Sequence, residues 1–231
     1  MVKKIIIHKE GNYFYTEGDV HTKRGVLKEE DILNKKEIPN IKGTFHIFEA
    51  KFNDKLQKIK RGPAIVQNKD IGPLLTDTNI NKDSIVLEAG TGCGVVTSHL
   101  SRFVKKIISY EIKEENIKIA KKNFALLETN NIEIKNKDIR EGIEEKDLDL
   151  IFLDLPESEK IIEHAYNSLK ESSYLVIYVP TTEQIKEVIE NRNRFYIEKI
   201  IEVLQREWQI KPLRPKNQML GHTAFLIFLR K

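Results

Sequence analysis

Residues 84–94 read SIVLEAGTGCG, and this stretch decides the fold. Ser84–Glu88 is a short, nearly continuous apolar run that stops at glycines 90, 92 and 94, and a helix is expected over Val95–Phe103. A continuous apolar strand suits a parallel sheet, where both faces are covered. The missing β-carbons permit a tight turn and let a ligand approach the backbone, near the positive end of the following helix. The G-x-G-x-G spacing is close to the dinucleotide fingerprint without matching it. No Lys-Ser/Thr follows, which excludes a nucleoside-triphosphate P-loop.

Outward from this loop the same rhythm repeats. Lys106–Tyr110, Ile132–Lys135, Leu148–Leu153 and Tyr174–Val179 read as further strands. Helices are expected over Lys69–Thr76 (after an Asn68 cap), Glu114–Leu127, Lys160–Leu169 and Thr182–Glu190, the last capped by Thr181 or Thr182. Ile117, Ala120, Phe124 and Leu127 share one face of the second. Such alternation predicts a largely parallel sheet with helices on both faces. Tyr196–Leu204 and Ala224–Leu229 read as strands with no long helix between them, which predicts an antiparallel pair at one edge.

The first sixty residues differ. Lys4–His8, Asn12–Thr16, Phe45–Glu49 and Leu56–Lys60 read as short strands separated by turn signals, with one helix over Lys28–Lys36. The expected organisation is a small β-rich domain over 1–60 and an α/β domain over 61–231, with Arg61-Gly62-Pro63 at the boundary.

An apolar share of 40% with seven prolines in 231 residues argues against disorder. No stretch approaches the roughly twenty apolar residues of a membrane span, and the start MVKKIIIHKEGNYFY lacks a leader pattern. A cytoplasmic, non-membrane protein is expected. The lone Cys93 excludes an intrachain disulfide and a thiolate metal cluster, and no metal is expected. Charge is segregated: residues 1–60 carry thirteen basic and nine acidic side chains, 61–191 seventeen and twenty-three, and 192–231 nine and three. A polyanion would therefore be gripped by the ends of the chain.

Four acids follow strands: Glu88, Glu111, Asp138 and Asp154. Parallel sheets bind ligands outside the carboxyl ends of their strands, so the four converge on one rim. Glu111 is placed to accept from two ribose hydroxyls. Asp138 suits an adenine amino group, or else caps a turn. Glu88 orients the glycine loop or meets a charged amino-acid end. S-adenosylmethionine carries a sulfonium and an ammonium, which acids suit; a nicotinamide dinucleotide carries a pyrophosphate, which they do not. The cofactor expected at Glu88, Gly90, Thr91, Gly92, Gly94, Glu111, Asp138 and Asp154 is S-adenosylmethionine. Asp154, in Leu-Asp-Leu-Pro 153–156, is the expected catalytic residue. A carboxylate accepting from the N6 amino group of adenine orients the ring and stabilises the charge created by alkylation at N1. Its other reading is a cap on the next segment.

These motifs resemble the tRNA (adenine-N1)-methyltransferases that modify position 58 of the T-loop, most closely the archaeal branch that also acts on position 57. The resemblance rests on Arg61-Gly-Pro63 with Lys69-Asp70, Glu88 to Gly94, Ser109-Tyr-Glu-Ile112, Lys137-Asp-Ile139, Asp149, Leu153-Asp-Leu-Pro156, Glu163-His-Ala165, Arg214-Pro215 and Gly221-His-Thr-Ala224. It implies a class I methyltransferase domain with a seven-stranded, mostly parallel sheet, preceded by a small β-rich module, in a homotetramer that binds tRNA. It also implies Glu111 on the ribose, Asp138 on the adenine and Asp154 facing the target base, with Arg214 and His222 on the substrate side. His164 reads as structural. The family tyrosine ahead of Lys69-Asp70 is replaced by Gln67, which keeps a hydrogen-bonding group for a base edge but loses a stacking platform. Glu157-Ser158 replaces the usual proline-containing continuation of Asp-Leu-Pro. The competing readings are a class I methyltransferase acting on another RNA position, a small molecule or a protein; a non-catalytic partner subunit; and an NAD-dependent oxidoreductase. An intact glycine loop weighs against the partner subunit.

Overall fold

A computed structural model describes residues 1–62 and 65–231; Pro63 of the expected boundary lies outside the described residues. The chain divides into two units, Met1–Ile59 and Lys60–Lys231.

The first unit consists of β1 (Lys4–His8), β2 (Gly11–Tyr15), β3 (Val20–Thr22), β4 (Gly25–Leu27), α1 (Glu29–Asn34), β5 (Glu37–Asn40), β6 (Gly43–Glu49) and α2 (Phe52–Leu56). An antiparallel sheet runs β2-β1-β6-β5, and β3 with β4 forms a two-stranded ribbon. Ile6, Tyr15, Phe45 and Ile47 pack with Leu27 and Ile32 into one core. One expectation fails here. Leu56–Lys60 is not a strand, because α2 ends at Leu56 and a turn follows. The Lys51 N–H donates to the Asp54 carboxylate at 2.8 Å, closing a helix start at Phe52, four residues ahead of Leu56.

The second unit holds α3 (Asn68–Thr76), β7 (Ile85–Ala89), α4 (Val95–Ser101), β8 (Lys106–Tyr110), α5 (Glu114–Leu127), β9 (Ile132–Lys135), β10 (Leu148–Leu153), α6 (Ile162–Ser168), β11 (Leu169–Val179), α7 (Thr182–Glu190), β12 (Tyr196–Ile201), β13 (Trp208–Gln209), β14 (Arg214–Pro215) and β15 (Phe225–Arg230). Seven strands form one sheet in the order β12-β15-β11-β10-β7-β8-β9. The pairs from β11 to β9 are parallel, whereas β15 runs antiparallel to both neighbours. This is the class I Rossmann-like arrangement, and the edge pair β12–β15 is the one expected from the absence of an intervening helix. Val86, Leu87, Leu150, Ile151 and Phe152 are buried at the centre, as strands covered on both faces must be.

Element ends shift from the expectation for local reasons. Asn68 lies inside α3, with Gln67 in the cap position, extended and accepting from the Asp70 and Ile71 N–H groups through its carbonyl. The helix expected over Lys160–Leu169 is a 3-10 turn (Ser158–Ile161) followed by α6. Strand β11 starts five residues before the apolar run YLVIYV, at Leu169. Thr181 caps α7 by accepting from the Gln184 N–H.

Candidate active site

The chain leaves β7 for β8 and β9 on one side, then returns to β10 on the other. That reversal opens a crevice at the carboxyl ends of β7 and β10, the usual ligand position in such sheets. The glycine loop leaves the carboxyl end of β7 there and leads into α4. Gly90 has φ +93°, and a β-carbon there would lie 2.1 Å from the Asp154 carbonyl oxygen. Gly94 has φ +81°, and a β-carbon there would lie 2.4 Å from the Phe124 ring. Both positions need glycine for approach and for conformation.

Hydrogen bonds tie the loop to three of the expected acids. The Asp154 N–H donates to the Ala89 carbonyl at 3.0 Å, and the Gly90 N–H to the Tyr110 carbonyl at 3.1 Å. Glu111 Oε2 accepts from the Gly92 N–H at 3.0 Å and from Asn116 Nδ2 at 3.1 Å, while its Oε1 accepts from the Lys113 N–H at 2.9 Å. Glu111 therefore orders the loop and the start of α5 together, with acceptor capacity to spare on Oε1. Glu88 is 1% exposed. Its carboxyl accepts from the Ser109 hydroxyl and, at 3.2 Å, from Thr97 Oγ1. Ser109 Oγ is in turn 2.6 Å from Thr91 Oγ1, so Glu88 orients the loop through a hydroxyl relay. Burial is the main cause pushing its carboxyl up to about 7, and the negative charges of Asp154 and Glu111 add to it.

Asp154 differs from its neighbours. Its carboxylate has no hydrogen-bond partner among the described residues, and burial alone pushes it up to about 6. A partly enclosed carboxylate left unpaired beside a glycine cradle is a group waiting for a donor.

Asp138 lies beyond β9 and caps a 3-10 turn over Ile139–Glu141. Its carboxylate accepts from the Arg140 N–H at 2.9 Å and from the Arg140 guanidinium, at 2.6 Å from Nη2. That guanidinium holds the carboxyl below the usual carboxylate range. Gln67 is exposed, and its Nε2 donates to the Ile65 carbonyl at 3.1 Å. His222 spends both ring nitrogens, Nδ1 on Glu202 at 2.5 Å and Nε2 on the Pro180 carbonyl at 2.8 Å. Glu202 raises its pKa. Arg214 is exposed on the β13–β14 hairpin, with Nη1 at 3.0 Å from Asn217 Oδ1. The structure thus joins Glu88, the loop, Glu111 and Asp154 directly, whereas the hydrogen bonds of Asp138, Gln67, Arg214 and His222 described above go to other groups.

Sequence reasoning missed Ser109, Thr97, Asn116 and Arg140. Ser109 had a signal: it is the one small polar side chain inside the buried strand KIISY, where an unpaired polar group would be costly. Arg140 had none, since an arginine near a turn is ordinary.

A family model described as tRNA methyltransferase complex GCD14 subunit matches residues 56–223. The tRNA (adenine(57)-N(1)/adenine(58)-N(1))-methyltransferase TrmI of Methanocaldococcus jannaschii is 31% identical, over 98% of this chain and 94% of that protein. The tRNA (adenine(58)-N(1))-methyltransferase TrmI of Thermus thermophilus is 34% identical over 76% of this chain and 72% of that protein. The crystal structure of tRNA (m1A58) methyltransferase TrmI from Aquifex aeolicus superposes with a TM-score of 0.88 at 26% identity, covering 99% of this chain and 96% of that one. With the glycine cradle, the ordering of the loop by Glu111 and the seven-stranded sheet all in place, this chain belongs to the GCD14 family of tRNA methyltransferase subunits, with the TrmI enzymes among its relatives.

Proposed function

We propose that the protein is an S-adenosylmethionine-dependent methyltransferase that modifies N1 of adenosine 58 in the tRNA T-loop. Adenosine 57 is the second position to examine, because the Methanocaldococcus relative is named for both. The observation that carries the reading is the Asp154 carboxylate, which has no hydrogen-bond partner among the described residues and whose own backbone packs against Gly90.

The residues fit the cofactor. The cradle at Gly90, Thr91, Gly92 and Gly94 admits a ligand against bare backbone, Glu111 at the end of β8 suits a ribose diol, and Glu88 holds the loop in place from beneath. Asp138 is proposed to face the adenine of the cofactor, exchanging an Arg140 contact for the amino group. When bound, S-adenosylmethionine supplies a methyl group activated by its sulfonium. Asp154 accepts a hydrogen bond from N6 of the target base, fixes the ring, and stabilises the positive charge that appears as N1 is alkylated. Because its carboxyl sits near 6 in the free protein, it is largely ionised at neutral pH and sensitive to the arrival of a donor. Gln67, Arg214 and His222 are proposed for the substrate side.

A homotetramer and a cytoplasmic location belong to the same reading. Self-association is supported by the segment after β12, which exposes Leu204 (61%), Trp208 (59%), Ile210 (81%) and Leu213 (75%). Apolar side chains gathered so densely suit an interface. Among the described residues no helix is long and apolar enough to cross a membrane.

The test is a comparison of Asp154→Ala and Asp154→Asn in single-turnover assays at saturating S-adenosylmethionine and tRNA, paired with calorimetric cofactor titration. Ala should lower the rate by roughly 10²–10³ with cofactor affinity nearly unchanged. Asn keeps an acceptor but not the charge and should recover little. Near-normal turnover in the Ala variant would remove Asp154 from the mechanism and redirect the search to Gln67 and His222.

A further inference from the structure

One buried ion pair is not used by the site described above. The side chains of Lys69 and Asp70, in the first turn of α3, are 9% and 1% exposed. Lys69 Nζ donates to Asp70 Oδ1, to the Val203 carbonyl and to Thr223 Oγ1, each at 2.7 Å. Asp70 Oδ2 accepts from the Thr223 hydroxyl at 2.9 Å and from the Tyr178 hydroxyl at 3.1 Å. All three ammonium protons are spent and both carboxylate oxygens are engaged. Such a network is directional in a way that an apolar contact is not, and it is costly when left half made.

The partners are informative by position. Val203 and Thr223 are the two roots of the exposed segment 204–222, so one ammonium holds both ends of this arm. The arm carries Arg206, Lys211, Arg214 and Lys216 against Glu207 alone. His222 adds a second tie at the same root, through Glu202 and the Pro180 carbonyl. The remaining partner, Tyr178, follows Ile177, which pairs with Leu153, so it stands at the strand end beside Asp154. Burial first, and then the charges of Asp70 and Asp154, raise the Tyr178 pKa, which keeps the hydroxyl a neutral donor to Asp70.

We infer that Lys69 and Asp70 are positioning residues for methyl transfer: they fix both roots of the 204–222 arm to the strand end beside Asp154, so that RNA gripped by the arm presents its base to that carboxylate. The inference rests on the reading of the protein as a tRNA methyltransferase.

Thr223→Val removes one hydroxyl at nearly constant volume and keeps both charges. The double variant Lys69→Met with Asp70→Asn removes both charges without stranding either. Four quantities are measured on the full chain: calorimetric affinity for S-adenosylhomocysteine, single-turnover rate on tRNA, trypsin cleavage after Arg206 and Lys216, and assembly mass by light scattering. A displacement of about 1 Å at a reacting centre can cost about a hundredfold in rate. The expected result is a rate loss of about tenfold for Thr223→Val and about a hundredfold for the double variant. Cleavage in the arm should quicken, with cofactor affinity within about twofold of the unmodified protein and mass unchanged. Normal turnover despite faster cleavage overturns the inference. So does a turnover loss that tracks cofactor affinity or mass, since the pair would then serve only the pocket or the assembly. An unmodified protein that never methylates tRNA defeats the functional reading instead, and the cleavage rates still report on the clamp.

Discussion

Replacing Glu88 by Gln should relieve the protein of a stability loss that grows with pH. The Glu88 carboxyl lies near 7 in the folded protein against an ordinary value of 4.5, chiefly because of burial. The folded state therefore holds a proton more tightly than the unfolded chain does. Stability from this site is fully present below pH 4.5 and is lost as pH rises through 7. At 1.36 kcal/mol per pH unit, the distance from 4.5 to about 7 corresponds to about 3 kcal/mol. Gln is neutral throughout and can still bond to Ser109 and Thr97, so its advantage over Glu should be absent at pH 4.5 and about 3 kcal/mol at pH 8. For a chain of this size that is a widening gap of about 6–12 °C in Tm. Thermal unfolding of both ligand-free proteins between pH 5 and 8 measures it. A gap that stays constant across this range would refute the argument, because a pH-independent offset comes from packing and not from proton linkage.

Other outcomes follow from the same geometry. Glu111→Ala removes a carboxylate that orders Gly92 and is proposed to hold the ribose; cofactor affinity should fall about 10- to 100-fold, with a smaller effect on rate at saturation, by calorimetry and single-turnover assay. Gly90→Ala places a methyl group 2.1 Å from the Asp154 carbonyl oxygen, so cofactor titration should detect no binding in a variant that also melts earlier. Neutralising Arg206, Lys211, Arg214 and Lys216 together should flatten the slope of log tRNA affinity against log salt by roughly 0.7–0.9 per lost phosphate contact, with cofactor affinity unmoved. An unchanged slope would place the RNA surface elsewhere.

The central sheet was legible because its strands are buried on both faces. The runs SIVLE, KIISY and LDLIFL leave little choice, and the glycines after the first fix where the ligand crevice opens. Short edge elements were not legible. Val20–Thr22 and Gly25–Leu27 are three residues each, and Pro39 within Glu37–Asn40 reads against a strand. Leu56–Lys60 misled because two apolar residues three apart, Leu56 and Ile59, fit the end of a helix and its turn better than a strand. In the site, the acids at strand ends could be placed from spacing, but their partners could not. The Ser109–Thr91 relay joins residues that only the folded chain brings together, and the Arg140 clamp on Asp138, though two residues away, depends on a turn and rotamer that spacing does not specify. Lys69-Asp70 was visible as a motif, yet its tie to Val203 and Thr223 spans more than 130 residues of sequence.

The central claim is tested most directly by incubating the protein with unmodified tRNA and labelled S-adenosylmethionine, then locating the label by nuclease digestion and mass spectrometry. The expected product is 1-methyladenosine at position 58, with position 57 as the second site to score, and loss of the label in the Asp154→Ala protein. Label in a cytosine or guanine, or no transfer to tRNA at all, would contradict it.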